Sequence, residues 1–379
     1  MNIPAFLLPL LLIGTTVGLA QSSRSIDRLY VGTYSMRGSD GIYVVELDRQ
    51  TGELRQTGSA KNDQNPSFLA LHPNKRFLYA GNEASKGLNA VTAYAIDAKT
   101  GNLTLLNQQP AQGGGPCYIS LDKTGKLAFT AAYGGGAFNA FTVSSDGQLG
   151  SSIKTEMYHG SNAANPRQDA PHAHSATVSP DGKSVYVCDL GNDRVYQYAI
   201  DAAAKMPVMP VNPPFVTVKA ESGPRHMAIS ANGKFAYLVE ELASSVAVFS
   251  RDTKTGNLTL LQDRVQTLPA DFTGRSKNTS ADIHLDPSGH FLYQSNRGHD
   301  ALAVLRVEKD GKLTLLGHTP TGGKTPRNFW MDPRGEFVIV ANQTTDNLVS
   351  FRRDAKTGML SPTGHELKIP APVCVISAQ

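Results

Sequence analysis

Along most of this chain, apolar and polar residues alternate in short runs broken by Asn, Asp and Gly, and helical spacing of any length is absent. Six stretches share one layout: FLALHPNKRFLYAGNE, YISLDKTGKLAFTAAY, SATVSPDGKSVYVCDL, HMAISANGKFAYLVEE, DIHLDPSGHFLYQSN and NFWMDPRGEFVIVAN. A period of two predicts half-buried β-strands, and the turn residues tolerate the positive φ of a tight hairpin. Each stretch is therefore read as strand, turn, strand.

The hairpins recur at a nearly constant interval. Equivalent positions in the second strand are Tyr79, Phe129, Tyr186, Tyr237, Tyr293 and Ile339, separated by 50, 57, 51, 56 and 46 residues. A period of about 50 residues is that of four-stranded propeller blades. A second signal travels with it: TGEL, TGNL, DGQL, TGNL, DGKL and TGML place Gly52, Gly101, Gly147, Gly256, Gly311 and Gly358 in outer hairpins. One unit, around DAAAKMPVMP, lacks it and is expected to carry a different loop.

The two ends complete the pattern. RLYVGTYS (28–35) reads as a second strand without a first, with Tyr30 preceding Tyr79 by 49 residues; APVCVIS (371–377) reads as a first strand without a second. Joined, they make a seventh blade, and closure removes the exposed sheet edges of an open array. The expected fold is an all-β, seven-bladed β-propeller of four-stranded antiparallel blades over 28–379, its ring closed by pairing of the N- and C-terminal strands. Two β-sandwiches would predict neither a constant period nor complementary ends.

Composition narrows the function classes. Charged residues make up 18% of the 379, and the formal net charge is +4 without a cluster of Lys and Arg. No nucleic-acid partner is expected, because that would call for a basic stripe. The opening MNIPAFLLPLLLIGTTVGLAQSS carries a short apolar core over 5–13 and small residues at 18 and 20. Residues 1–20 are expected to be a signal peptide, giving an exported protein, periplasmic or secreted. The core is too short to span a bilayer, so the mature chain is expected to have no membrane span and to be a monomer. Three scattered cysteines, Cys117, Cys188 and Cys374, do not make a disulfide framework. No CxxC or HExxH spacing is present, and neither metal nor cofactor is expected.

In a propeller the innermost strands line the central channel. Near their starts, one position reads Ser67, Cys117, His174, Arg225, Ala281 and Arg327 around the ring, and the next reads Phe68, Tyr118, Ser175, His226, Asp282 and Asn328. At the second-strand exits, one ring reads Thr33, Asn82, Ala132, Asp189, Glu240, Asn296 and Asn342. The next reads Tyr34, Glu83, Tyr133, Leu190, Glu241, Arg297 and Gln343. Polar side chains aimed at a common axis suit an anionic, oxygen-rich ligand. His172 and His174 form an HxH pair that a strand would put on one face. Metal binding, loop hydrogen bonding and a catalytic role are all open to them. Arg225 and Arg297 pair with Glu240 and Glu241, or grip a phosphate or carboxylate through forked bonds. Arg327, Asp189, Asn296 and His226 are further candidates for substrate binding.

The segments PRQDAPHAHSATVSPDGKSVYVCDLGNDRVYQY, GPRHMAISANGKFAYLVEEL, ADIHLDPSGHFLYQSNRGHDALAVL and TPRNFWMDPRGEFVIVANQTTDNLVSF resemble the lactonase family of seven-bladed propellers. That family includes the propeller-type 6-phosphogluconolactonases and the fungal 3-carboxy-cis,cis-muconate lactonizing enzymes. The resemblance implies an active site of one histidine, two arginines and a glutamate at the channel: His172 or His174, Arg225, Arg297 and Glu241. It implies hydrolysis of a sugar lactone or related cyclic ester, with a small anionic, sugar-derived substrate. The histidine would act as general base, oriented by Glu241, and the arginines would bind the anion or the oxyanion. A muconate-type lactonizing reaction and a non-catalytic binding propeller are the alternatives.

Overall fold

Each repeat forms one four-stranded antiparallel sheet in the computed structural model, which describes Met1 and residues 25–84, 89–162 and 165–378. The expected signal segment 1–20 lies, apart from Met1, outside the described residues. The seven sheets are the blades of a β-propeller. Blade 1 joins Pro372–Ser377 to the three strands of 26–61; blades 2 to 7 span 66–110, 116–157, 173–217, 224–266, 279–320 and 326–368. Ring closure is as the sequence predicts: Pro372–Ser377 pairs antiparallel with Ile26–Thr33.

The strands differ in how far they follow the period of two. The outer strand Leu54–Lys61 buries only Leu54 and otherwise runs exposed or half-buried, whereas second strands such as Phe77–Asn82 and Ser184–Asp189 are buried throughout. A second strand has a neighbouring blade against each face, so both of its faces need apolar residues. The buried apolar clusters fall one to each junction between successive blades, seven among the described residues. The cluster closing the ring packs Leu29, Val31, Val45 and Val375 against Trp330, Ile339 and Leu348.

The two periodic signals of the sequence meet across those junctions. The Tyr30 hydroxyl donates to the Gly101 carbonyl of the next blade at 2.9 Å, Tyr79 to Gly147 at 3.0 Å, Tyr186 to Gly256 at 2.5 Å and Tyr293 to Gly358 at 2.6 Å. Those glycines hold φ between 73° and 86°, where a Cβ would be strained. Blade 4 is the unit without the glycine turn, and the residue facing it from blade 3 is Phe129, which has no hydroxyl. Two turns depart from this: Gly52 receives the Ser350 hydroxyl at 2.6 Å, blade 7 carrying Ile339 at the tyrosine position, and at the junction of Tyr237 with the Gly311 turn the buried Tyr237 hydroxyl makes no hydrogen bond among the described residues.

One irregularity repeats on every inner strand. Where the inner strand leaves its start, it holds one more residue than its partner: between Pro66 and Phe68, Pro116 and Tyr118, Ala173 and Ser175, Pro224 and Met227, Ser280 and Ile283, Pro326 and Asn328, and opposite Gly32 and Thr33 in the closing strand. A β-bulge re-aims a side chain out of the pleat. Here it serves the channel.

Candidate active site

The bulge residues meet on the propeller axis. Ser67, Cys117, His174, Arg225, Arg327 and Val373 surround a throat with only about 10 Å³ of free space. Above it opens a cavity of about 370 Å³ lined by Tyr34, Glu83, Tyr133, Arg167, His174, Glu241, Thr279, Arg297 and Arg327. Tyr34, Glu83, Tyr133, Glu241 and Arg297 come from the second-strand exits, so five of the seven positions in that sequence ring reach one opening. Leu190 and Gln343 do not line it.

Glu241 is the hub. Its Oε1 accepts a hydrogen bond from Arg167 at 2.9 Å and lies 3.0 Å from Arg297. Its Oε2 lies 2.9 Å from Arg225 Nε, whose N–H is not aimed at it, so that contact is an ion pair without a hydrogen bond. Burial opposes the charge of Glu241, but the guanidiniums of Arg297, Arg225 and Arg167 overcome it and hold its carboxyl at about 2. Burial, with Arg297 and Arg327 nearby, lowers Arg225 to about 9, which leaves it charged at neutral pH. The carboxylate therefore orients arginines and does not orient His174, contrary to the expected pairing: its oxygens face guanidiniums.

A second carboxylate balances the far wall. Glu83 Oε2 accepts from Tyr34 at 3.0 Å and from Ser67 at 2.8 Å, and Arg327 lies 4.0 Å away with its guanidinium over the Tyr34 ring. Four guanidiniums against two carboxylates leave two positive charges in excess around the cavity.

The histidines part company. His174 sits in the bulge, lines the cavity and is 4% exposed. Burial, then Arg225, His226 and Arg327, hold its imidazole well below the ordinary range, so it is neutral at pH 7. His172 precedes the strand Ala173–Val178 and stacks on the outer side of the Tyr133 ring at 4.4 Å. Its Nδ1 is 2.9 Å from the Tyr133 carbonyl and its Nε2 3.2 Å from Asp169. The expectation that both imidazoles share a face fails because the bulge at His174 breaks the period of two.

Three other candidates lie outside the cavity lining. Asp189 accepts from the backbone N–H of His172, Gly191 and Asn192, closing a turn. Asn296 accepts from Asn278 and Ser280 and donates to the Thr267 carbonyl. Both belong to the ring one residue short of the mouth, where pleat parity turns side chains between blades. His226 lines the underside of the throat and the cavity below it, not the upper cavity. Arg167, by contrast, reaches the mouth from a connection that no repeat predicts. Fully buried Gln168 donates to the Leu190 carbonyl at 2.8 Å and so anchors it. The only sequence signal for Arg167 is its place in the PRQDAPHAH segment. Among the described residues no group of three or more His, Cys, Asp or Glu is placed to hold a metal, and no helix is long and apolar enough to cross a membrane.

A closed seven-bladed ring with a basic axial cavity, a neutral histidine and a buried carboxylate defines the class: a β-propeller with a polar pocket on its axis. Residues 28–377 match the family model for "Lactonase, 7-bladed beta-propeller", and the chain belongs to that family. It is 36% identical over 347 residues to the 6-phosphogluconolactonase of Bacillus subtilis, covering 91% of this chain and 97% of the relative. It is 34% identical to that of Formosa agariphila, covering 90% and 96%. The solved structure of a periplasmic gluconolactonase from Pseudomonas aeruginosa superposes with a TM-score of 0.87 at 33% identity, covering 93% of this chain and 99% of that one.

Proposed function

We propose that this protein hydrolyses the lactone of a sugar acid in the axial cavity. The observation that carries this reading is the mouth itself: a neutral, buried histidine beside guanidiniums in excess, in a cavity large enough for a six-carbon lactone. The naming of relatives as 6-phosphogluconolactonases and a gluconolactonase supports it.

In this mechanism His174 accepts a proton from a water molecule whose oxygen attacks the lactone carbonyl carbon. The carbonyl oxygen becomes an oxyanion, stabilised by Arg297 or Arg327 in a site where their charge is little screened. Collapse breaks the ring C–O bond, and the proton returns from His174 to the departing alkoxide. The products are the open hydroxy acid and the free base. Arg225 and Glu241 fix the geometry of the arginines, and Arg167, half exposed at the rim, grips an anionic substituent through a forked contact. The excess positive charge suits a lactone bearing a phosphate.

The apolar segment near the N-terminus, together with a periplasmic relative, supports export, where unphosphorylated lactones would be met. A pH-stat panel decides between them. Acid release from glucono-lactone and its 6-phospho form above the spontaneous rate is expected. No acceleration with any sugar lactone would overturn the reading.

A further inference from the structure

We propose that His226 is a positioning residue which, fixed by Asp282, holds Arg225 and His174 in place from beneath the throat. The proposal rests on the lactone-hydrolysis reading above. His226 does not line the upper cavity; it is 5% exposed and faces a separate cavity at the opposite end of the axis, shared with Phe68, Tyr118, Asp282 and His284.

Both ring nitrogens are engaged, in different directions. Nδ1 lies 2.8 Å from Asp282 Oδ1, and a carboxylate can only accept, so Nδ1 carries the proton. Nε2 is then a bare lone pair, and Arg225 Nη1 donates to it at 3.3 Å. Burial and Arg225, against the Asp282 hydrogen bond, lower the imidazole to about 4, so this neutral tautomer persists at physiological pH. It supports a guanidinium already crowded by Arg297 and Arg327 without adding charge. The other groups around it are Arg327, His284, His174 and Tyr118.

Asp282 is itself held on every side. His284 Nε2 lies 2.9 Å from Oδ2, Asn328 donates to Oδ2 at 2.5 Å and the Phe329 N–H at 3.3 Å. Asn328 in turn accepts from the Val375 N–H of the closing strand at 2.7 Å. The imidazole also meets the His174 ring edge-on at 5.3 Å. One side chain thus abuts both Arg225, which sets the arginine cluster, and the proton-accepting His174, tied through Asp282 to blades 6 and 7 and the closing strand.

The test is a double-mutant cycle. His226→Asn keeps a donor for Asp282 but leaves Arg225 Nη1 only its other acceptor, the Ala281 carbonyl; His226→Gln sets an amide oxygen near the place of Nε2. Expected for His226→Asn is a kcat/KM on the best lactone lower by roughly 10–100-fold, the size of one hydrogen bond to a charged group, with the parent melting temperature. His226→Gln recovers most of it. In an Arg225→Lys background His226→Asn costs little more, because it acts through the residue already changed. Equal losses in both variants, additive losses with Arg225→Lys, or wild-type kinetics in His226→Asn would overturn the proposal. ¹⁵N shifts of the His226 ring in the resting protein test it without turnover. A protonated Nδ1 and bare Nε2 at pH 7 are expected, and a protonated Nε2 refutes the proposal even if no lactone is hydrolysed.

Discussion

Replacing Glu241 by Gln removes one charge from the centre of three arginines, and the structure sets the size of the effect. A carboxyl held at about 2 instead of its ordinary 4.5 contributes about 3 kcal/mol to stability near neutral pH, at roughly 1.4 kcal/mol per tenfold change in ionisation. Because the carboxyl is lowered on folding, this contribution is complete above pH 4.5 and drains away as the pH falls toward 2. Arg225 and Arg297 carry most of it, since Arg167 is half exposed and its pair is screened. Glu241→Gln is therefore expected to lower the free energy of unfolding by about 3 kcal/mol at pH 7, read as a shift in urea midpoint at unchanged slope. The deficit should be the same at pH 6 and close to half as large near pH 3. Inorganic phosphate should restore part of it, by placing an anion among the freed guanidiniums. A variant that unfolds with its parent at pH 7, or a deficit that does not shrink in acid, would refute the view that Glu241 organises the arginines.

Other outcomes follow from the same geometry. Tyr30→Phe, which strands the Gly101 carbonyl, should cost about 1 kcal/mol in thermal unfolding and leave lactone hydrolysis unchanged. Removing residues 372–379 takes out the inner strand of blade 1 and opens the cluster around Val375 and Trp330. Calorimetry should then show loss of the parent's cooperative transition, and a truncated chain melting with its parent would contradict closure. Arg167→Lys should raise KM for a phosphorylated lactone more than it lowers kcat, because a point charge cannot reproduce a forked contact.

Much of this was legible in the chain because repeats expose both fold and axis. At four junctions the Tyr and Gly signals mark the two partners of one inter-blade hydrogen bond, and their joint absence at Phe129 and DAAAKMPVMP has one cause. The ring from Ser67 to Arg327 coincides with the throat because every inner strand carries its extra residue at the same place. What could not be read was direction within a ring. Asp189 and Asn296 sit one residue from the mouth, and one residue of a pleated strand turns a side chain by half a circle. His172 and His174 have identical spacing credentials, and only the bulge separates them. Arg167 lies in an irregular connection, where period carries no information and position comes from buried Gln168 and its bonds to Leu190, Asn162 and Asn165.

Hydrolysis in the axial cavity is proposed to depend on His174 as the proton acceptor. The direct measurement is the pH-stat turnover of His174→Ala beside the parent on the best lactone, with the melting temperature of each. A turnover lower by roughly 10²–10⁴-fold at an unchanged melting temperature is the expected result. Parental turnover in the variant, or a loss of activity matched by a loss of the fold, would contradict it.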